Sequence, residues 1–295
     1  MKTISCFSYK GGAGRSTLAI NVVPFLAEEL GASPEHPLIL VDMDMDSCGI
    51  TYLFNLDRDV DKEYNVQALF GSGQIPRARG SIADHPLFNN LPAVGNLFGL
   101  KDAESVLCLP AEPGAAISGA GNYDDTNDKL HLFINLCREM GCCGVICDSA
   151  VGNQTGANWS NSVATHIMCC LRPTKQFRLG TERFFELYDE DNGGKNIIVI
   201  PNVVPTDELS LEEDGETRNY PEWAKGEILK AFDKQGSPNN YILDMVDGDV
   251  FGVPKIDRFM WQEDVLARID KSKLTKHEHV ALEQYKKIAR IIKNS

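Results

Sequence analysis

Short apolar runs alternate with segments of helical spacing along most of this chain. The apolar runs predict buried strands at residues 3–8, 37–42, 105–110, 144–148, 163–171 and 196–200, with a strand-like piece at 250–256. Apolar residues at helical spacing predict helices at residues 18–30, 127–140, 179–188, 223–232, 263–269 and 277–292. Strands that alternate with helices predict an α/β fold, with one doubly wound, mostly parallel sheet flanked by helices.

Proline, glycine and acidic residues interrupt this pattern. Pro24 lies inside the first predicted helix and is expected to kink it, and Gly31 is expected to end it. Residues 206–222 are acidic and poor in strand-forming residues, which predicts an exposed insertion. The length of 295 residues is compatible with one large α/β domain, and we predict a single domain over residues 1–295.

A glycine-rich stretch, S-Y-K-G-G-A-G-R-S-T at residues 8–17, separates the first strand from the first helix. A glycine-rich turn in this setting binds phosphate, because backbone N–H groups and the helix N-terminus converge on the anion. Residues 9–16 differ twice from the general pattern G-x-x-x-x-G-K-[ST]. Tyr9 replaces the first glycine, Arg15 replaces the lysine, and Ser16 keeps the hydroxyl that binds Mg²⁺. The context still predicts a phosphate-binding loop.

Aspartates follow two of the predicted strands. Asp42, Asp44 and Asp46 end the second strand, and on an extended backbone they point the same way. Ligands of open α/β sheets bind at the C-terminal ends of strands, so we favour a role in a Mg²⁺–water shell for at least two of them over a solvated loop edge. Asp148 ends the strand at 144–148 in the form of a Walker B motif, and residues 149–154 are predicted to form a polar loop that senses the nucleotide state.

The bulk composition is that of a globular protein, with 43% hydrophobic and 24% charged residues. No run of 18 apolar residues predicts a membrane span, and the N-terminus leads directly into a strand, so we expect a cytoplasmic protein without a signal peptide. Most of the nine cysteines lie in apolar runs, and reduced, buried thiols are the expected state.

The net charge of −13 disfavours DNA and anionic lipid as partners, because both are polyanions. Two features are nevertheless compatible with a membrane surface or DNA as a partner. The basic, amphipathic segment at 285–293 suits a membrane-targeting helix, although we favour a last helix packed on the domain. A modest basic patch, more often a solvated face, is formed by Arg258, Arg268, Lys271, Lys273 and Lys276.

These motifs together carry a family resemblance. Residues 10–17 resemble the deviant Walker A loop of the ParA/MinD ATPases, usually written K-G-G-x-G-K-[ST]-[ST]. Residues 40–44 with 49–51 look like the family's D-x-D segment, and residues 108–111 resemble its strand that ends in Pro-Ala. Asp148 falls at the Walker B aspartate. The motifs run in family order from residue 3 to about residue 266.

The resemblance implies the P-loop NTPase fold, with ATP and Mg²⁺ as cofactors, and an ATP-dependent sandwich homodimer. It implies catalytic roles for Lys10, Asp44 and Arg15: Lys10 reaches the partner's phosphates, and Asp44 orients the attacking water. It implies that Ser16, Asp42 and Asp148 hold the Mg²⁺ shell. The nucleotide-binding residues implied are Lys10, Gly11, Gly12, Ala13, Gly14, Arg15, Ser16, Thr17, the base-contacting Asn202 and Pro254 of the adenine-lining loop.

Arg15 departs from the family pattern, because its guanidinium is larger than an ammonium and its donors are fixed in a planar fork. Slow or partner-stimulated hydrolysis is the outcome we favour. Binding without hydrolysis, and a lesser role for Arg15 beside Lys10, remain open. Ser149-Ala150-Val151 is a second departure, since the family usually has a proline-rich turn there.

Three functions follow from these alternatives. The first is a ParA/MinD-type ATPase that partitions or positions a cargo and responds to an unidentified stimulating partner. The second is a nucleotide-binding switch or scaffold with negligible hydrolysis. The third is an iron–sulfur relative, which needs exposed cysteines near the dimer interface. The chain has no C-x-x-C motif, and the position three residues after Asp148, where a cysteine would also fit, is occupied by Val151.

Overall fold

The computed structural model describes residues 1–58, 60–71, 73–115, 123–152, 155–188, 195–205, 210–213, 216–219, 226, 240–242, 252–260 and 264–295. The described strands are β1 (Lys2–Ser8), β2 (Leu38–Met43), β3 (Val106–Leu109), β4 (Gly144–Val151), β5 (His166–Leu171), β6 (Asn196–Pro201), β7 (Ser210–Glu213), β8 (Glu216–Asn219) and β9 (Asn240–Ile242). The main sheet has seven strands in the order β3-β2-β4-β1-β5-β6-β9, and every pair of neighbours is parallel. The predicted α/β fold with a parallel sheet is confirmed.

Helices connect the strands and cover the sheet. The described helices are α1 (Arg15–Leu30), α2 (Gly49–Leu53), α3 (Val66–Phe70), α4 (Pro86–Asn90), α5 (Tyr123–Glu139), α6 (Thr155–Val163), α7 (Lys175–Tyr188) and α8 (Lys276–Asn294). Within the described residues, none of these helices is long and apolar enough to cross a bilayer.

Both faces of the sheet are buried. Successive residues of β2 alternate between two hydrophobic clusters: Leu38 and Leu40 join the cluster of α1 and α8, and Ile39 and Val41 join the cluster of α3 and α5. This explains why β2 reads as a continuous apolar run, since each side of a doubly covered strand needs an apolar residue.

The ends of α1 and α8 follow from their sequences. Gly31 ends α1 in the left-handed conformation, with φ of 69°, as predicted, and Pro24 lies within the helix. Helix α8 begins with a capping box between Thr275 and Glu278. Its apolar side, which includes Ile288, is buried in the core, so the prediction of a packed last helix is confirmed.

Several predicted boundaries are wrong. Strand β4 continues to Val151, so Ser149 and Ala150 are buried strand residues and not part of a polar loop. Val163 ends α6, a helix that the apolar pattern missed, and β5 begins only at His166. Helix α1 begins at Arg15 and not at residue 18, because the loop ends directly at Gly14.

The later segments also differ from expectation. Within 206–222, strands β7 and β8 form an antiparallel pair, so the description of this stretch as strand-poor is wrong there. The predicted helix at 263–269 is represented in the described residues by a 3₁₀ turn, Leu266–Arg268. Residues 252–256 form an isolated bridge from Pro254 to Val204 and no strand. The predicted helix at 223–232 lies outside the described residues, apart from residue 226.

Candidate functional site

The glycine-rich loop occupies the turn from β1 into α1. Gly12 and Gly14 have φ of 80° and 79°, a conformation that glycine adopts without strain. Gly14 is the N-cap of α1 and supplies no side-chain cap, so the helix begins with free backbone donors. Lys10, Gly11 and Gly12 are exposed, while Ala13 and Arg15 are buried. The predicted phosphate loop therefore presents backbone donors at a helix N-terminus to solvent.

Two buried carboxylates lie side by side next to this loop. Asp42 of β2 and Asp148 of β4 are paired in register, and both are 0% exposed. Thr51 donates to Asp42 Oδ2 from its backbone N (2.9 Å) and its hydroxyl (2.8 Å). In the described part of the chain, Asp42 Oδ1 and both oxygens of Asp148 have no hydrogen bond of normal geometry. Such buried, unpaired oxygens require a counter-ion or a proton.

The pKa values of the two carboxyls reflect this burial. Burial raises the pKa of Asp42 to about 6, although the hydrogen bonds from Thr51 oppose the rise. Burial, followed by the neighbouring Asp42 charge, raises the pKa of Asp148 to about 7. Arg15 and the nearby Ser16 hydroxyl act in the opposite direction on Asp148. The pair thus lacks positive charge, which a divalent cation would supply.

Arg15 is engaged with the protein and not with the open side of the loop. Its Nη2 donates to Asp44 Oδ2 at 2.9 Å, and its Nη1 donates to the carbonyl of Ser149. The Arg15 side chain is 9% exposed. Asp46 lies apart from this cluster and is exposed, because β2 ends at Met43 and the alternation of side chains does not reach Asp46. The expectation that all three aspartates share one side is therefore wrong for Asp46.

Lys10 and Tyr9 contact helix α7. Lys10 Nζ donates to Gln176 Oε1, and both groups are exposed. A Cβ on Gly180 would collide with the Tyr9 ring, so Tyr9 packs directly on the backbone of α7. Tyr9, at the position where the general pattern has glycine, therefore supports the loop against α7.

A cavity of about 500 Å³ adjoins the loop. It brings together five of the residues predicted to bind the nucleotide: Gly12, Gly14, Thr17, Asn202 and Pro254. Its other walls come from Leu18, Arg172, Pro173, Thr174, Val203, Pro205, Lys255, Ile256, Phe259 and Tyr285. The size of this cavity and its mixture of apolar and polar walls suit a small organic ligand whose phosphates bind the loop.

The residues fit Mg²⁺ and a nucleoside triphosphate. Asp42 and Asp148 offer hard oxygen ligands, and the loop offers anion donors a short distance along the same sheet edge. Among the described residues, no group of three or more His, Cys, Asp or Glu side chains could hold a metal ion. A cation here would therefore need Ser16, water or phosphate oxygens to complete its shell.

The structure does not support an iron–sulfur site. All nine cysteines are free, and none is exposed: Cys143 is half-buried and the others are buried. Burial, followed by the charge of Asp148, raises the pKa of Cys147 to about 12, so this thiol is protonated in the metal-free protein.

Sequence reasoning missed four contributors to the site. They are Thr51, which holds Asp42; Ser149, whose carbonyl accepts from Arg15; Gln176, which accepts from Lys10; and Cys170, whose thiol contacts the loop. The position of Thr51 in the D-x-D segment was the one available signal, because the other three contacts join distant parts of the sequence.

No family model matches the sequence, and the curated proteins contain no significant match. Solved structures do match. MinD from Aquifex aeolicus aligns with a TM-score of 0.61 at 16% identity and covers 98% of this chain and 97% of its own. The chain has the MinD fold. MinD from Pyrococcus horikoshii, solved with Mg-ADP, gives 0.59 at 14% identity over 97% of this chain and 95% of its own.

Two further structures with the MinD fold match over nearly the full chain. McdA from Cyanothece, solved as a complex of a single-residue variant with ATP, has a TM-score of 0.55 at 14% identity and covers 96% of both chains. A putative plasmid partition protein from Borrelia burgdorferi bound to AMPPNP has 0.56 at 11% identity and covers 97% of both. At these identities the likeness establishes the fold, and the function has to be argued from the site.

Proposed function

We propose that this chain is a single-domain, ATP-binding and Mg²⁺-dependent ATPase of the ParA/MinD type, which acts as a nucleotide-switched dimer in the partitioning or positioning of a cargo. One observation carries the proposal: two fully buried carboxylates without enough partners lie beside a glycine-rich helix N-terminus in the MinD fold. Anion donors next to unpaired carboxylates are the combination that a metal–phosphate complex satisfies.

The named relatives support the details of this proposal. Their structures include Mg-ADP, ATP and AMPPNP complexes and a MinC:MinD complex. We infer by analogy a cytoplasmic protein with a partner that stimulates hydrolysis. DNA or a membrane surface is a less favoured partner for a chain of net charge −13.

The proposal assigns a role to each part of the site. The loop from Lys10 to Thr17 binds the phosphates, with Asn202 and Pro254 near the base. Ser16, Asp42 and Asp148 hold Mg²⁺, and Asp44 orients water. Bound ATP would supply the phosphoanhydride bond, and Mg²⁺ would supply the positive charge that neutralises the carboxylates.

The Arg15–Asp44 ion pair supports a second candidate, a nucleotide-binding switch with negligible hydrolysis. Asp44 would orient water by accepting a hydrogen bond from it, but Oδ2 is paired with Arg15 at 2.9 Å and Oδ1 already accepts a long hydrogen bond from the Ser47 backbone N at 3.4 Å. A lysine at position 15 would lack the forked donors that bind Asp44 and the Ser149 carbonyl together. Retention of the pair after nucleotide binding would therefore suppress turnover.

Size-exclusion chromatography and phosphate release, each with and without Mg-ATP, test both candidates. For an ATPase we expect an ATP-dependent dimer, lost in Lys10→Ala and trapped without turnover in Asp44→Ala. Asp46→Ala is the matched control, since Asp46 is exposed and should leave both readouts unchanged. A wild type that neither dimerises nor hydrolyses, with both restored by Arg15→Lys, would establish the switch instead.

A further inference from the structure

Two side chains from distant strands hold one peptide of the loop. Asn202, directly after β6, donates from Nδ2 to the Ala13 carbonyl at 2.8 Å and to the Gly14 carbonyl at 3.3 Å. Cys170 of β5 donates from its thiol to the same Ala13 carbonyl at 3.2 Å. The Ala13 carbonyl therefore accepts two side-chain hydrogen bonds, and the loop is tied to two neighbouring strand ends.

The contact between Asn202 and the loop backbone is close. A Cβ on Gly14 would lie 2.8 Å from Asn202 Nδ2, nearer than real Cβ contacts allow. The Asn202 backbone is itself fixed, because its N donates to the Leu171 carbonyl at 2.8 Å. Asn202 thus packs directly against Gly14, and a change in this side chain should alter the conformation of the loop.

The direction of this contact determines where the loop's donors point. In a trans peptide the carbonyl and the N–H point in opposite directions. Because the Ala13 carbonyl faces Asn202 and Cys170, the N–H of Gly14 in the same peptide points away from both. A loop whose successive N–H groups are turned outward forms the concave donor set that binds an anion.

We propose that Asn202 and Cys170 are positioning residues, which fix the Ala13–Gly14 peptide in the orientation that binds phosphate. The inference rests on the proposed function, in which this loop binds the phosphates of ATP. It differs from the base contact that the family resemblance implies for Asn202, since Nδ2 is already occupied by the loop. Burial raises the pKa of Cys170 to about 12, so its thiol stays protonated and able to donate.

A ligand without a base separates the two roles of Asn202. We would measure binding of Mg-ATP, Mg-tripolyphosphate and adenosine by calorimetry, for wild type and Asn202→Ala, with circular dichroism as the check of folding. The positioning role predicts that Asn202→Ala, which removes the hydrogen bond to Ala13 and the longer one to Gly14, weakens the binding of ATP and of tripolyphosphate equally, by about tenfold, and leaves the binding of adenosine unchanged. If Asn202→Ala weakened the binding of ATP and adenosine but left the binding of tripolyphosphate unchanged, the inference would be overturned in favour of a base contact.

Cysteine variants provide a second, independent test that also applies if Asn202→Ala fails to fold. Cys170→Ala should weaken tripolyphosphate severalfold, and Cys170→Ser, which keeps a donor, should recover most of the loss. Cys169→Ser is the control and should leave tripolyphosphate binding unchanged. Successive strand residues point to opposite faces of the sheet, so Cys169 does not share the contact of Cys170 with the loop. Equal losses in both Cys170 variants, or no loss in either, would contradict the positioning role. A wild type that binds neither ATP nor tripolyphosphate would instead remove the proposed function itself.

Discussion

Asp148 shows at the residue scale how a buried charge shapes the site. Its folded pKa of about 7 lies above its ordinary value, chiefly because of burial. A carboxyl with a raised folded pKa contributes stability at low pH that is lost as pH rises through that value. The metal-free protein should therefore lose stability between about pH 4 and pH 7, with each unit of pKa worth roughly 1.4 kcal/mol.

We expect Asp148→Asn to raise the melting temperature of the metal-free protein by several degrees at pH 8 and to change it little at pH 4. The amide carries no charge, and its NH₂ group adds a donor beside Asp42, whose Oδ1 has no hydrogen bond within the described residues. Thermal unfolding at the two pH values, with Asp46→Asn as the exposed control, measures this difference. Mg²⁺ with ATP should stabilise wild type more than the variant. An equal change at both pH values would contradict the account.

The residues of the site were predictable to different degrees. The positions of Asp42, Asp148 and the loop followed from the sequence, because the C-terminal parts of two strands that carry these aspartates meet the glycine-rich turn at one edge of a parallel sheet, although β4 continues past Asp148 to Val151. The pairing of Arg15 with Asp44 did not, since it depends on which of several nearby groups a long side chain selects. The partner of Arg15 is determined by how α1, β2 and β4 pack together, and no local sequence pattern encodes that packing.

At the scale of elements, α6 illustrates why a helix can escape sequence analysis. The segment T-G-A-N-W-S-N-S-V is short, consists mostly of weak helix formers and has few apolar residues. It is held by tertiary contacts: Asn161 accepts from Ser5 of β1 at 2.7 Å, and Trp159 is buried. Helix α8, in contrast, was predicted correctly because its apolar spacing is sustained, and the structure adds a capping box at its N-terminus.

The packing of α8 against α1 makes a stability prediction for that element. Ile288 is 0% exposed in the shared core, whereas Arg290 lies on the outer side and pairs weakly with Glu29. Ile288→Ala should reduce the free energy of unfolding by about 2–5 kcal/mol, and Arg290→Ala by no more than about 0.5 kcal/mol. Denaturant unfolding measures both. Similar small effects would indicate that α8 is loosely attached and available to another surface.

For the molecule as a whole, the parallel sheet gathers the loop, the carboxylates and the cavity at one edge, while net charge governs how two copies approach. Each copy carries −13, and bound nucleotide adds further negative charge. Repulsion between copies extends over about 30 Å at 0.01 M salt and only about 8 Å at 0.15 M. Salt should therefore have opposite effects on a dimer and on a complex with a polyanion.

We expect the proposed Mg-ATP dimer to become tighter as salt rises from about 0.01 to 0.15 M, because screening removes the repulsion between two acidic proteins. Binding to DNA or anionic vesicles, through a local basic patch, should weaken over the same range, since it releases counterions. Analytical ultracentrifugation of wild type with Mg-ATP, with Lys10→Ala as the dimer-deficient control, measures the first trend. A dimer that loosens with salt would mean that attraction between Lys10 and the partner's phosphates outweighs the net charge.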